Sequence, residues 1–153
     1  INRRTIQSII CYYMCWEVTK ETERFQTIHN YIEYDTNIVR KGAISAKTGE
    51  KVLIPINMRD GCILGIGKGN EDWNYSAPHG AGRTMSRSKA KESILLEEYQ
   101  KAMDGIFTTS VNTSTIDESP MAYKTMDEII GNIKDTVEIV DIIKPIYNFK
   151  ANE

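Results

Sequence analysis

At 153 residues, with 41% hydrophobic and 26% charged side chains, the sequence is ordinary for a globular protein and long enough to bury a real core. Its net charge of −2 excludes a global basic field for nucleic acid, so any such contact rests on local arginines and lysines. No apolar run approaches the roughly 20 residues that cross a bilayer, and polar residues interrupt the first stretch throughout, so neither a membrane partner nor a secretion signal is expected.

The three cysteines are an odd number without a secretory signal, which favours reduced thiols and a cytoplasmic setting. Ile6, Ile9, Ile10, Tyr13 and Met14 keep the spacing of an amphipathic helix over residues 2–14. Cys11 and Cys15 fall one turn apart on it, open to metal pairing or, as small hydrophobes, to packing. The charged run from Lys20 to Arg24 reads as a solvated loop. Residues 25–33 are rich in β-branched and aromatic side chains and predict a strand. It holds His29, read either as a hydrogen-bonded histidine or as a metal ligand.

Residues 37–46 and 51–57 predict two strands paired through the turn Lys47-Thr48-Gly49-Glu50, and residues 62–66 a further strand. Ser86 is placed to N-cap a helix through residue 94, and a second helix covers 96–103 with Gly105 beyond its end. The polar tract 108–119 reads as loop. Thr125 and Glu128 have the spacing of a capping box for a helix over 126–134. Residues 137–143 and 145–150 close the chain as strands, the second broken or at an edge because it opens with Pro145. Strands and helices without regular βαβ alternation predict an α+β fold with mixed, mostly antiparallel sheets and a few flanking helices. Residues 1–153 read as a single domain. Beginning at Ile1 and entering a helical pattern at once, they read as a piece of something longer.

The stretch from Gly67 to Ser88 carries the chemistry. Glycines at 67, 69, 80 and 82 let backbone N–H groups approach an anion, and Arg83 and Arg87 add charge-assisted donors. A helix starting near Ser86 favours phosphate at its N-terminus. His79 sits among these charges, which favour its neutral, nucleophilic form. Two readings stay open on the residues alone: a phosphate or nucleotide site with an attacking histidine, or a structural turn whose arginines pair with surface carboxylates. Gly65-Ile66-Gly67-Lys68-Gly69 follows a strand, but Asn70 stands where the dinucleotide fingerprint wants its last glycine. His79-Gly80-Ala81-Gly82 is similar to an esterase oxyanion run, yet the chain lacks a G-x-S-x-G elbow.

Ser76-Ala77-Pro78-His79-Gly80-Ala81-Gly82-Arg83, followed by Met85-Ser86-Arg87, resembles the signature of the RtcB-type RNA ligases. The likeness extends to Ile28-His29-Asn30-Tyr31-Ile32, Arg40-Lys41-Gly42-Ala43-Ile44, Asn57-Met58-Arg59-Asp60-Gly61 and Ala122-Tyr123-Lys124, and it spans nearly the whole chain. The resemblance implies the C-terminal portion of an enzyme that joins RNA ends carrying a 2′,3′-cyclic phosphate or 3′-phosphate to 5′-hydroxyl ends, using GTP and manganese (Mn2+). It implies His79 as the nucleophile that becomes guanylylated and His29 as a manganese ligand. Gly80, Ala81, Gly82 and Arg83 would hold GMP phosphate and ribose, with Tyr123 and Lys150 at the guanine. Broken RNA or tRNA halves and an archease-type activating protein are the implied partners. The chain also departs from the family. Further Asp, Cys and His ligands belong to a family portion upstream of anything seen here, and this chain has two histidines. The alternative reading is therefore a truncated or degenerate fragment that binds nucleotide or RNA without ligating.

Overall fold

The computed structural model describes residues 2–19 and 24–150. The elements are α1 (Asn2–Tyr13), β1 (His29–Glu33), β2 (Ile38–Ser45), β3 (Lys51–Asn57), β4 (Gly61–Gly67), β5 (Ser76–Pro78), α2 (Arg87–Ser93), α3 (Leu96–Ala102), α4 (Met126–Ile133) and β6 (Val137–Ile143), with short 3-10 helices at Glu71–Trp73, Thr113–Glu118 and Pro120–Ala122. Two three-stranded antiparallel sheets form, ordered β1-β2-β5 and β3-β4-β6. The fold is α+β, as the lack of βαβ alternation predicts.

Strand patterning builds the first core. Val52, Ile54 and Ile56 alternate inward along β3, and Ile63 meets them from β4. Ile44 and Ala77 enter from the other sheet, and Ile129 and Ile133 of α4 join them. A second cluster gathers Met58, Ala90, Ile94, Tyr99, Met103, Ile116 and Ala122 beneath α2 and α3. Tyr123 packs against both clusters.

Several expectations need correction. The strands at 37–46 and 51–57 are present, but they do not pair with each other; they belong to different sheets. The turn at Lys47 closes as expected, with the Glu50 N–H on the Lys47 carbonyl at 3.0 Å. The chain then crosses over, because β2 takes β1 and β5 as neighbours while β3 takes β4. The strand expected at 25–33 is confined to His29–Glu33, and Phe25 and Ile28 before it are exposed. Residues 145–150 form no strand beyond a single bridge from Asn148 to Thr108. The polar tract 108–119 is more than loop, since Asn112 caps the 3-10 helix Thr113–Glu118, whose Thr115, Ile116 and Asp117 are buried.

The helix expected at 2–14 forms, but it buries none of its residues. Cys11 is half-buried and Cys15, past the helix end, is exposed, so neither lies in a core. The expected solvated loop at Lys20–Arg24 lies, apart from Arg24, outside the described residues. The Ser86 cap and the Thr125 half of the expected capping box are made, each hydroxyl accepting a backbone N–H three residues on at 3.2 Å, while the Glu128 side chain pairs with Lys124 at 3.0 Å. No helix among the described residues is long and apolar enough to cross a membrane.

Candidate nucleotide site

The site begins with a break in strand pairing. His29 pairs opposite Ile44, but the register shifts before Tyr31, the mark of a β-bulge. Asn30 sits in the bulge at φ 58°, a conformation that asparagine tolerates better than most residues. Its side-chain oxygen accepts the Gly42 N–H at 2.8 Å. From the other side of β2, the His79 N–H donates to the Gly42 carbonyl at 3.3 Å. The two imidazoles therefore converge beside Gly42, with centroids 4.8 Å apart and planes inclined by 22°. Gly42 has φ +69°, where a side chain would be strained.

Beyond His79 the chain is pinned between both cores. The Ala81 N–H donates to the Pro55 carbonyl at 3.1 Å, the Thr84 N–H to Ala122 at 2.9 Å, and the Lys124 N–H to Gly82 at 3.1 Å. Between these anchors the N–H groups of Gly80 and Gly82 make no backbone hydrogen bond among the described residues. At Gly80 a Cβ would come within 3.1 Å of the Pro55 carbonyl, a contact that only a small shift of the neighbouring backbone relieves.

The segment walls a cavity of about 630 Å³, within the usual range for a small-molecule site. His79, Gly80, Ala81, Gly82, Arg83, Tyr123 and Lys150 all line it, although they come from three separate parts of the chain. His29 is not a lining residue; it reaches the cavity through its stack on His79. Arg83, Arg87, Lys144 and Lys150 face the single lining carboxylate, Glu118, among the described residues. The balance is positive and suits an anion.

The arginines are not loose. Arg83 lies over the Tyr123 ring at 4.9 Å, donates to its hydroxyl at 3.0 Å and also donates to the Asp117 carbonyl. Arg87 pairs with Glu118 at 2.8 Å and with the Asp117 carboxylate. Both features considered from sequence thus coexist: arginines paired with carboxylates, on the wall of a glycine-bordered cavity. Burial, then the neighbouring His29, lowers the pKa of His79 below its ordinary value, which keeps the imidazole neutral further into acid. Burial pushes the Cys62 thiol up, so this lining cysteine is protonated.

A nucleotide fits these residues, with cations and glycine N–H groups for phosphate and Tyr123 as an aromatic surface. A manganese centre does not. Among the described residues no group of three or more His, Cys, Asp or Glu side chains converges, and a lone imidazole is not a coordination sphere.

Sequence reading missed Asn30, Gly42, Asp117 and Glu118. The last two lay in a tract read as loop, where an acidic pair five and six residues ahead of Tyr123 was the available signal.

A family model described as tRNA-splicing ligase RtcB matches residues 1–151. The chain belongs to the RtcB family. It is 34% identical over 139 residues to the RNA-splicing ligase RtcB of Escherichia coli K12, covering 87% of this chain and 34% of that protein. The tRNA-splicing ligase RtcB of Aeropyrum pernix is 41% identical over 86 residues, 53% of this chain and 18% of the relative. That of Methanopyrus kandleri is 37% identical over 91 residues, 56% of this chain and 9% of the relative. The chain thus spans about a third of the length of the E. coli relative.

Proposed function

We propose that this chain supplies the nucleotide-accepting part of a GTP- and manganese-dependent RNA ligase that joins 2′,3′-cyclic phosphate or 3′-phosphate RNA ends to 5′-hydroxyl ends. The observation that carries the reading is the convergence of the His79-to-Arg83 run, Tyr123 and Lys150 on one positively lined cavity. Membership of a family whose relatives are named as RNA ligases supports it.

His79, held neutral by burial and by His29, is the nucleophile. A ring nitrogen gives its lone pair to the α-phosphorus of GTP; a P–N bond forms, the P–O bond to the β-phosphate breaks, and pyrophosphate leaves. The other ring nitrogen then releases its proton. GMP passes from His79 to the RNA 3′-phosphate and is displaced when the 5′-hydroxyl attacks. The Gly80 and Gly82 N–H groups and Arg83 face the nucleotide phosphate and ribose, while Tyr123 and Lys150 hold the base. In this reading His29 holds a manganese-ligand position, and the further ligands that a manganese centre needs would have to come from outside the described residues.

The test uses the complete protein with manganese and GTP labelled at the α-phosphorus. A covalent, acid-labile label is expected in the wild type and none in His79→Ala; full labelling of the variant overturns the assignment. A second reading, nucleotide or RNA binding without ligation, is favoured by one observation: among the described residues His29 belongs to no group of three or more potential metal ligands.

A further inference from the structure

Glu118 ends the 3-10 helix Thr113–Glu118, with its side chain 14% exposed. Both carboxylate oxygens are engaged. One accepts from the Tyr123 hydroxyl at 2.9 Å and meets the Lys150 ammonium at 3.0 Å. The other meets Arg87 at 2.8 Å and Arg83 at 3.7 Å. These four partners come from three separate parts of the chain, and all four line the cavity.

Lys150 depends on this contact more than the others do. No sheet holds residues 145–150, and the Lys150 backbone is tied by its N–H on the Ser110 hydroxyl at 2.8 Å. Its side chain is long and part-exposed, with rotamer freedom to lose, and the Glu118 ion pair sets where its ammonium lies.

We propose that Glu118 is the positioning residue of the nucleotide site, fixing Tyr123 and Lys150 at the base-binding end and tying the two arginines to the same carboxylate. The proposal rests on the ligase reading above. Glu118 does not itself read the nucleotide, because its oxygens are occupied by protein donors. Burial raises the Glu118 pKa, but Lys150, Tyr123 and Arg87 together outweigh it and hold the carboxyl below its ordinary value. Burial and then Glu118 push Tyr123 up to about 12, so its hydroxyl stays a donor. The arrangement therefore holds across neutral pH.

The test measures the GTP concentration for half-maximal labelling, and the maximal labelling rate, in the complete protein. Glu118→Gln keeps shape and an acceptor for Tyr123 but loses the charge that holds Lys150. It is expected to raise the half-maximal GTP concentration about tenfold, the scale of one charge-assisted hydrogen bond, with the maximal rate retained. Glu118→Asp, which keeps the charge, recovers part of the loss. In a double-mutant cycle, adding Glu118→Gln to Lys150→Met costs little beyond Lys150→Met alone, because Glu118 acts on the base end through Lys150. An unchanged GTP dependence in Glu118→Gln, or full additivity with Lys150→Met, overturns the proposal while leaving the ligase reading intact. A wild-type protein that takes no label overturns both.

Discussion

Gly42 shows how one residue type brings two side chains together. Its carbonyl receives the His79 N–H, its own N–H reaches Asn30, and the two imidazoles stack beside it. A Cβ added there would lie 3.7 Å from His79 Cδ2, an ordinary contact, whereas φ is +69°. Backbone strain thus outweighs crowding. Gly42→Ala is expected to destabilise by about 1–2 kcal/mol, the cost of holding an L-residue left-handed, measured by urea unfolding. A loss below a few tenths would mean that the backbone relaxes. That the run around His79 borders a cavity was legible because its neighbours form a dense run of special-geometry residues. The stack with His29 was not, since nothing within either segment states that a bulge at Asn30 brings them together.

Among the elements, the β1–β2 pair carries a charged tie. Arg40, 2% exposed, pairs with Glu33 at 3.3 Å and donates to the Ser76 hydroxyl at 2.9 Å, linking β1 and β5 across β2. Lys47 first, then Thr36, lowers Glu33 from 4.5 to about 2. A depressed folded-state pKa stabilises fully above the unfolded value, and that contribution is lost as pH falls through the folded one. Wild type should therefore exceed Glu33→Gln in urea midpoint at pH 7, and the gap should close between about pH 4.5 and pH 2. A gap that persists at pH 2 would show that the carboxylate charge is not what matters. Alternation and caps made β3, β4, α2 and α4 legible. Pairing was not, because the 47–50 turn has ordinary hairpin chemistry, while β2 pairs back to β1 before it and β3 pairs on to β4 after it. The run 145–150 likewise has strand-forming residues, but its backbone bonds go to Phe107 and Ser110.

At the scale of the whole molecule, the candidate site is a positively lined cavity, and among the described residues no group of three or more potential metal ligands converges. Manganese binding needs several side chains, and His29 alone does not hold the ion beside His79. These 153 residues, expressed alone, are expected to take no label from GTP and manganese, while the complete protein does. Detectable labelling of the isolated chain would sink that expectation and show that His29 suffices. The positive cavity was not legible in the sequence, because its walls come from both cores.

The order of strands in the second sheet has a consequence for synthesis. β4 lies between β3 and β6, but β3 and β4 leave the ribosome together, while β6 begins at Val137, well after β4 ends at Gly67. At about 5–20 residues per second, β4 waits roughly 4–14 s with one edge unpaired. An exposed apolar edge invites pairing with another nascent chain. The interval during which β4 waits for β6 is therefore one in which this edge is open to pairing with another chain.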